Sequence, residues 1–159
     1  MIKIGMIGMS VGNAHPYSWT AIINGRFSRK EIDKAGFPAV SDYLEANQNT
    51  LGIAGAKITH IYCDDQEIAK SIARSGRIET VVPRIEDLID QVDAVILGRD
   101  DPENHLKMAK PFMDAKVPIF IDKPLCVDLE ELKVYEAYIK QGGFLMSCSS
   151  MRYAAEVMA

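Results

Sequence analysis

The sequence predicts an α/β domain built as a doubly wound parallel sheet with helices on both faces. Three observations predict it. Six short apolar runs alternate with segments whose apolar residues recur at helical spacing. The alternation calls for crossover connections, because a short link cannot join parallel strands. The stretches "GMSVGNAH", "GRDDPENH" and "DKPL" follow the first, fourth and fifth runs, where an open parallel sheet binds its ligands.

Each element has its own signal. Ile2, Ile4, Met6 and Ile7 make a largely buried strand that reaches a tight turn at Gly8. "HPYSWTAIING" puts Trp19, Ile22 and Ile23 on one helical face, with Pro16 in the first turn and Gly25 as a stop. Residues 25–57, rich in Gly, Asn, Asp and Lys, read as an insertion in which "RKEIDKAG" and "SDYLEANQ" are candidates for short helices. "KITHIYCDD" is a second strand ending in acid, and "QEIAKSIARSG" is a helix with a stripe of Ile68, Ala69, Ile72 and Ala73, ended by Gly76. "ETVVP" is a short strand, "RIEDLIDQ" a helical turn, and "VDAVILG" a strand covered on both faces. The next helix starts with Asp101 as N-cap and Pro102 at N1, and turns Leu106, Ala109, Phe112 and Met113 inward. "VPIFIDKP" is the fifth strand. Asp128 and Glu131 open a helix, capping-box fashion, carrying Leu129, Leu132, Tyr135 and Ile139 and closed by Gly142 and Gly143; "FLMSCSS" is the sixth strand.

Composition narrows the partners. At 159 residues, 48% hydrophobic and 25% charged, the chain has the length of one domain with a sizeable core. A net charge of -4 without a basic block argues against nucleic acid or an anionic membrane surface and leaves a small molecule as the expected ligand. No apolar run reaches spanning length and no signal-peptide pattern opens the chain, so a cytoplasmic protein is expected. Cys63, Cys126 and Cys148 are odd in number, widely spaced and set in apolar stretches, which reads as reduced thiols rather than a disulfide framework or zinc site.

In the strand order 3-2-1-4-5-6 of a Rossmann-like sheet, the ends of strands one, four and five meet at the crevice where the order reverses. Gly8 and Gly12 would let backbone N–H groups approach a pyrophosphate at a helix N-terminus. The glycine pattern is imperfect, with Ser10 at the second glycine position, so a tight turn without a ligand stays open. Asp64, ending strand two, can accept from both adenosine ribose hydroxyls and would repel a 2′-phosphate, which favours NAD over NADP; Asp65 is the better helix cap. Lys123 ends strand five, where partial desolvation would make it a strong donor to a substrate hydroxyl, with ion pairing to Asp122 as the rival reading. His15 and His105 lie near helix starts and could touch ribose or substrate or serve as satisfied polar groups. Arg152 and Tyr153 are candidates for an acidic or polyhydroxylated substrate.

Taken together, "IGMIGMSVGNAH", "IYCDD", "PENHLKMAKPFMDAKVPIFIDKPL" and "SCSSMRY" resemble the N-terminal half of the Gfo/Idh/MocA oxidoreductase family. Asp122, Lys123 and Pro124 stand for the family's E-K-P stretch, and Pro102 and His105 match its N/P-x-x-H element. The resemblance implies a dinucleotide-binding domain over residues 1–150, with 151–159 opening the crossing to a second domain. It implies an NAD-dependent dehydrogenase acting on a sugar, cyclitol or related polyol, with NADP the less favoured cofactor and a homo-oligomer possible. Cofactor contacts would come from Gly8, Met9, Ser10, Val11, Gly12, Asp64, Asp100, Pro102, His105, Asp122, Lys123 and Pro124. Lys123 would lie beside nicotinamide and substrate, with a histidine from the second domain completing the catalytic site, so these 159 residues alone are expected to bind cofactor with little turnover. Three features depart from the family pattern: the shortened glycine loop with Ser10, Asp at 122, and the acids of "GRDD". A non-catalytic nucleotide- or sugar-binding module is the alternative reading, and a purely structural role a third.

Overall fold

β1 (Ile2–Gly8) sends Met6 into one apolar cluster and Ile7 into another, so it is covered on both sides. In the computed structural model, which describes residues 1–158, it lies between β2 (Ala56–Cys63) and β4 (Ala94–Leu97). With β3 (Thr80–Val81), β5 (Ile119–Ile121) and β6 (Leu145–Met146) they form a six-stranded sheet in the order β3-β2-β1-β4-β5-β6, every pairing parallel. The predicted order and the reversal between β1 and β4 are both present.

The helices divide between the faces. α1 (His15–Asn24), α2 (Arg29–Lys34), α3 (Pro38–Ala46) and α4 (Gln66–Gly76) cover one face with Tyr17, Ala21, Ile32, Leu44, Ala69 and Ile72. α5 (His105–Asp114) and α6 (Leu129–Lys140) cover the other with Ala109, Phe112, Met113 and Tyr135. The segment read as an insertion therefore contributes core: its two short helices each place one fully buried side chain, Ile32 or Leu44. Its predicted end overlaps β2, which begins at Ala56.

Three local expectations gain detail from the structure. Gly76 ends α4 as expected, though not by turning left-handed itself. It is the last helical residue, Arg77 takes the left-handed position at φ 52°, and a Cβ on Gly76 would lie 2.0 Å from Thr20 Cγ2. Glycine is needed there for the approach of α4 to α1. Asp101 takes the N-cap position, with Pro102 next, of a 3-10 turn, Pro102–Asn104, that runs into α5, but its side chain makes no capping bond and is held by Arg99 instead; the N-cap of α5 itself is Asn104. At α6 only half of the capping box forms, since Asp128 accepts from the N–H groups of Glu130 and Glu131 while the Glu131 Oε2 is buried without a partner. No helix among the described residues is long and apolar enough to cross a membrane.

Candidate cofactor and active site

The β1–α1 turn is built on glycine for a steric reason. A Cβ on Gly8 would sit 2.6 Å from Pro16 Cγ, and one on Gly98 would sit 3.1 Å from Met6 Sδ and 3.5 Å from Pro16 Cγ. The proline that opens α1 thus packs down on the bare ends of β1 and β4. Gly12 holds φ 80° with nothing within 4 Å of its would-be Cβ, and the N-cap of α1, Ala14, brings no capping side chain. The open approach at Gly12 fits a pyrophosphate, whereas the first turn of α1 offers it no free donor: His15 N–H donates to Asn13 Oδ1 at 2.8 Å, Pro16 has no N–H, and Tyr17 N–H donates to the Ala14 carbonyl at 3.0 Å.

Within the loop the predicted residues part ways. Met9 packs against the core, and Val11 is fully exposed. Ser10 is buried and donates to Asp100 Oδ1 at 2.5 Å, while the Asp100 N–H donates to Ser10 Oγ at 3.1 Å. Ser10 at the second glycine position therefore locks the loop to the end of β4. Asp100 Oδ2 in turn lies 3.8 Å from Lys123 Nζ. One of the two acids of "GRDD" is thereby set against a cation.

Lys123 is less desolvated than its strand-end position suggested, with 43% of its side chain exposed. Its salt-bridge partner is Asp100; Asp122 receives the Lys123 backbone N–H on Oδ1 at 2.7 Å. Asp122 itself is 1% exposed, and its Oδ2 accepts from Asn13 Nδ2 at 3.2 Å and pairs with His15 Nδ1. With its oxygens occupied inside the protein, Asp122 positions the Lys123 turn and is not free to touch a cofactor. The His15 ring stacks on Trp19, centroids 4.4 Å apart, and Trp19 meets Phe120 edge-on. A carboxylate at Nδ1 leaves Nε2 as the outward nitrogen.

His105 is corrected from candidate ligand contact to brace. It is fully buried, Nε2 facing the Arg99 carbonyl at 3.0 Å and Nδ1 the Leu125 carbonyl at 3.1 Å, so it ties the loop after β4 to the loop after β5. Pro102 lies partly buried in the turn before it and Pro124 is exposed. Arg152 and Tyr153 are exposed in a 3-10 turn, Ser150–Tyr153.

Asp64 stands at the end of β2 with 58% of its side chain exposed. Tyr62 donates to its Oδ1 at 3.1 Å and Arg99 Nη1 to its Oδ2 at 2.6 Å, which leaves lone pairs on both oxygens for ribose hydroxyls. Asp65 is the helix cap, accepting from the N–H groups of Glu67 and Ile68. Arg99, 7% exposed, was missed by sequence reasoning, as was Asn13, 4% exposed. Hydrogen bonds donated to Asp101 and then to Asp64 hold the Arg99 guanidinium above the ordinary arginine pKa, and the same Arg99 contact holds the Asp101 carboxyl below the usual carboxylate range. The second of those acids, Asp101, is thus neutralised in place. Only the charge reversal in "GRDD" could have hinted at this cluster, and its partner Asp64 lies in another β–α unit.

Comparison with known proteins follows the same lines. The family model for the Gfo/Idh/MocA oxidoreductase family, NAD-binding Rossmann fold, matches residues 2–148. No curated protein sequence matches. Among solved structures, scyllo-inositol dehydrogenase from Lactobacillus casei, with bound NAD(H) and scyllo-inositol, is similar at TM-score 0.68 and 17% identity, over 98% of this chain and 38% of its own. Myo-inositol dehydrogenase from Lactobacillus casei, in complex with NAD(H) and myo-inositol, gives 0.68 and 20% over the same shares of the two chains. UDP-N-acetylglucosamine 3-dehydrogenase from Acidithiobacillus ferrooxidans gives 0.61 and 19%, over 92% of this chain and 37% of its own. The chain spans less than two fifths of the length of these structures. It belongs to the Gfo/Idh/MocA oxidoreductase family, whose NAD-binding Rossmann domain it carries.

Proposed function

We propose that this chain is the cofactor-binding part of an NAD-dependent dehydrogenase acting on a cyclitol, sugar or related polyol. One observation carries the reading: the open Gly8–Gly12 turn, the exposed Asp64 carboxylate and the Lys123 ammonium stand at the C-terminal ends of strands of one parallel sheet, on both sides of its switch point. The pyrophosphate rests on the glycine turn ahead of α1, the adenosine ribose on Asp64, and Lys123 faces the nicotinamide end. NAD supplies the hydride acceptor. Lys123 donates to the substrate oxygen, which is worth most as that oxygen gains alkoxide character while its carbon loses hydride and its hydroxyl proton passes to a base. The cyclitol class is taken from the inositol bound in the similar structures.

The direct test is calorimetry on this chain with NADH and NADPH. NADH is expected to bind more tightly, and Asp64→Ala to weaken it by roughly 1.5–3 kcal/mol, the value of hydrogen bonds to a charged acceptor. Unchanged NADH affinity in a folded Asp64→Ala protein would remove Asp64 from the site. In a protein that includes the second domain, Lys123→Met should lower turnover by roughly 10²-fold while NADH affinity holds. NADH binding without turnover on any polyol would favour a binding module instead.

A further inference from the structure

Arg99 is gripped along one edge by Asp101, Nε donating to Oδ1 at 2.8 Å and Nη2 to Oδ2 at 2.5 Å. That two-point contact fixes the guanidinium plane. The remaining edge is aimed at the end of β2, where Nη1 meets Asp64 Oδ2 at 2.6 Å. The arginine side chain is 9% exposed and that of Asp64 58%, so the fixed member of the pair lies inside and the displaceable member outside. A cavity of about 220 Å³ opens at the same place, its lining including Tyr62, Asp64, Glu86, Arg99, Asn104 and Lys107. It brings a second cation, Lys107, on the first turn of α5.

We propose that Arg99 is a specificity-determining residue of the cofactor site: a 2′-phosphate clamp, pre-aimed by Asp101, that Asp64 keeps closed. The proposal rests on the reading that Asp64 holds the adenosine ribose. A ribose 2′-substituent that reaches Asp64 is then within reach of Arg99 Nη1, since the two side chains touch. With Asp64 present, the outer member of the pair is a carboxylate, which accepts from a 2′-hydroxyl and repels a 2′-phosphate. With Asp64 replaced by a small neutral residue, Arg99 does not swing away, because Asp101 still holds its other edge. Its free N–H groups then face the ribose and can donate to phosphate oxygens. The preference for one nicotinamide cofactor is on this account set by two residues on different strands, one of which masks the other.

The experiment is fluorescence titration of this chain with NADH and NADPH, with 2′-AMP and 5′-AMP as displacing probes for the adenosine subsite alone. In Asp64→Ser, NADH should weaken at least 10-fold while NADPH and 2′-AMP tighten at least 10-fold, and adding Arg99→Met should abolish that gain. Arg99→Met strips Asp101 of its partner, so a melting curve checks folding. Asp101→Asn in the Asp64→Ser background is the companion variant, which frees the guanidinium to move and should cut the gain several-fold. NADPH and 2′-AMP affinities that stay flat in Asp64→Ser while the unaltered chain binds NADH would overturn the clamp and leave the cofactor reading standing. A gain that survives Arg99→Met, or that is untouched by Asp101→Asn, also overturns it. Failure of the unaltered chain to bind either coenzyme would overturn both readings together.

Discussion

At 1% exposure, Asp122 accepts from the Lys123 N–H and from Asn13 Nδ2 and pairs with His15 Nδ1, so one carboxylate joins the start of α1 to the turn that carries Lys123. Removing it leaves unpaired one buried N–H of Asn13 and the part-buried N–H of Lys123, each costing about 1–3 kcal/mol at full burial. Asp122→Ala should therefore lower stability by about 3 kcal/mol in urea unfolding, and Asp122→Asn, which keeps the volume and one acceptor oxygen, by less. A loss below about 1 kcal/mol in Asp122→Ala would mean that water replaces the carboxylate and that the brace is unimportant. Asp64 and Lys123 were legible in sequence as residues at strand ends, because strand ends are local features. Arg99 and Asn13 were not, because their meaning lies in partners 35 and 109 positions away, Asp64 and Asp122. His105 misled for the same reason: its place at a helix start is local, while the carbonyl of Leu125 that seals it inside is not.

A stripe repeated over several turns located α4, whereas α6 buries only Tyr135 of its apolar set, leaving Leu129 74% and Ile139 48% exposed, and the helices resting on one anchor were legible only as candidates. α4 shows its stripe of Ala69, Ile72 and Ala73 over 11 residues. α2 and α3 span only 6 and 9 residues, and the apolar core holds each by a single fully buried residue, Ile32 or Leu44. Too few turns exist there for a period to appear. Gly76 ends α4 as its sequence position implied and also serves contact between helices, which that position does not show. That contact is testable. Gly76→Ala gains about 1 kcal/mol of helix propensity but drives its methyl into Thr20, so a net loss of about 1–2 kcal/mol is expected in denaturant midpoint at unchanged slope. Thr20→Ser removes the Cγ2 that a Gly76 methyl would meet at 2.0 Å, so in the double variant most of the loss should return. Equal losses with and without Thr20→Ser would show that some other feature of α4 requires the glycine.

Across the whole molecule the two halves of the sheet are unequally covered. α1 and α4 bury one face of β1 and β2, and α5 and α6 bury the opposite face of β4 and β5, while Phe144 at 75% and Met146 at 49% exposure remain open around β6. The doubly wound topology was legible because alternation of strand and helix constrains it strongly; the uneven cover was not, because it depends on where six strands of different length stop. The proposed ligand joins these halves, reaching from Asp64 at the end of β2 to Lys123 at the end of β5. A ligand that binds only the folded chain stabilises it by mass action, about 2.7 kcal/mol at one hundred times its Kd. For a domain of this size that corresponds to a rise in Tm of about 5–10 °C. NADH at that excess should produce such a rise, ADP-ribose most of it, and NADPH at equal concentration a smaller one because of Asp64. Nicotinamide mononucleotide, which lacks the adenosine end, should give little. A rise under about 2 °C with NADH at a hundredfold its measured Kd would show that the coenzyme binds the unfolded chain as well, and not a crevice formed only when both halves of the sheet are assembled.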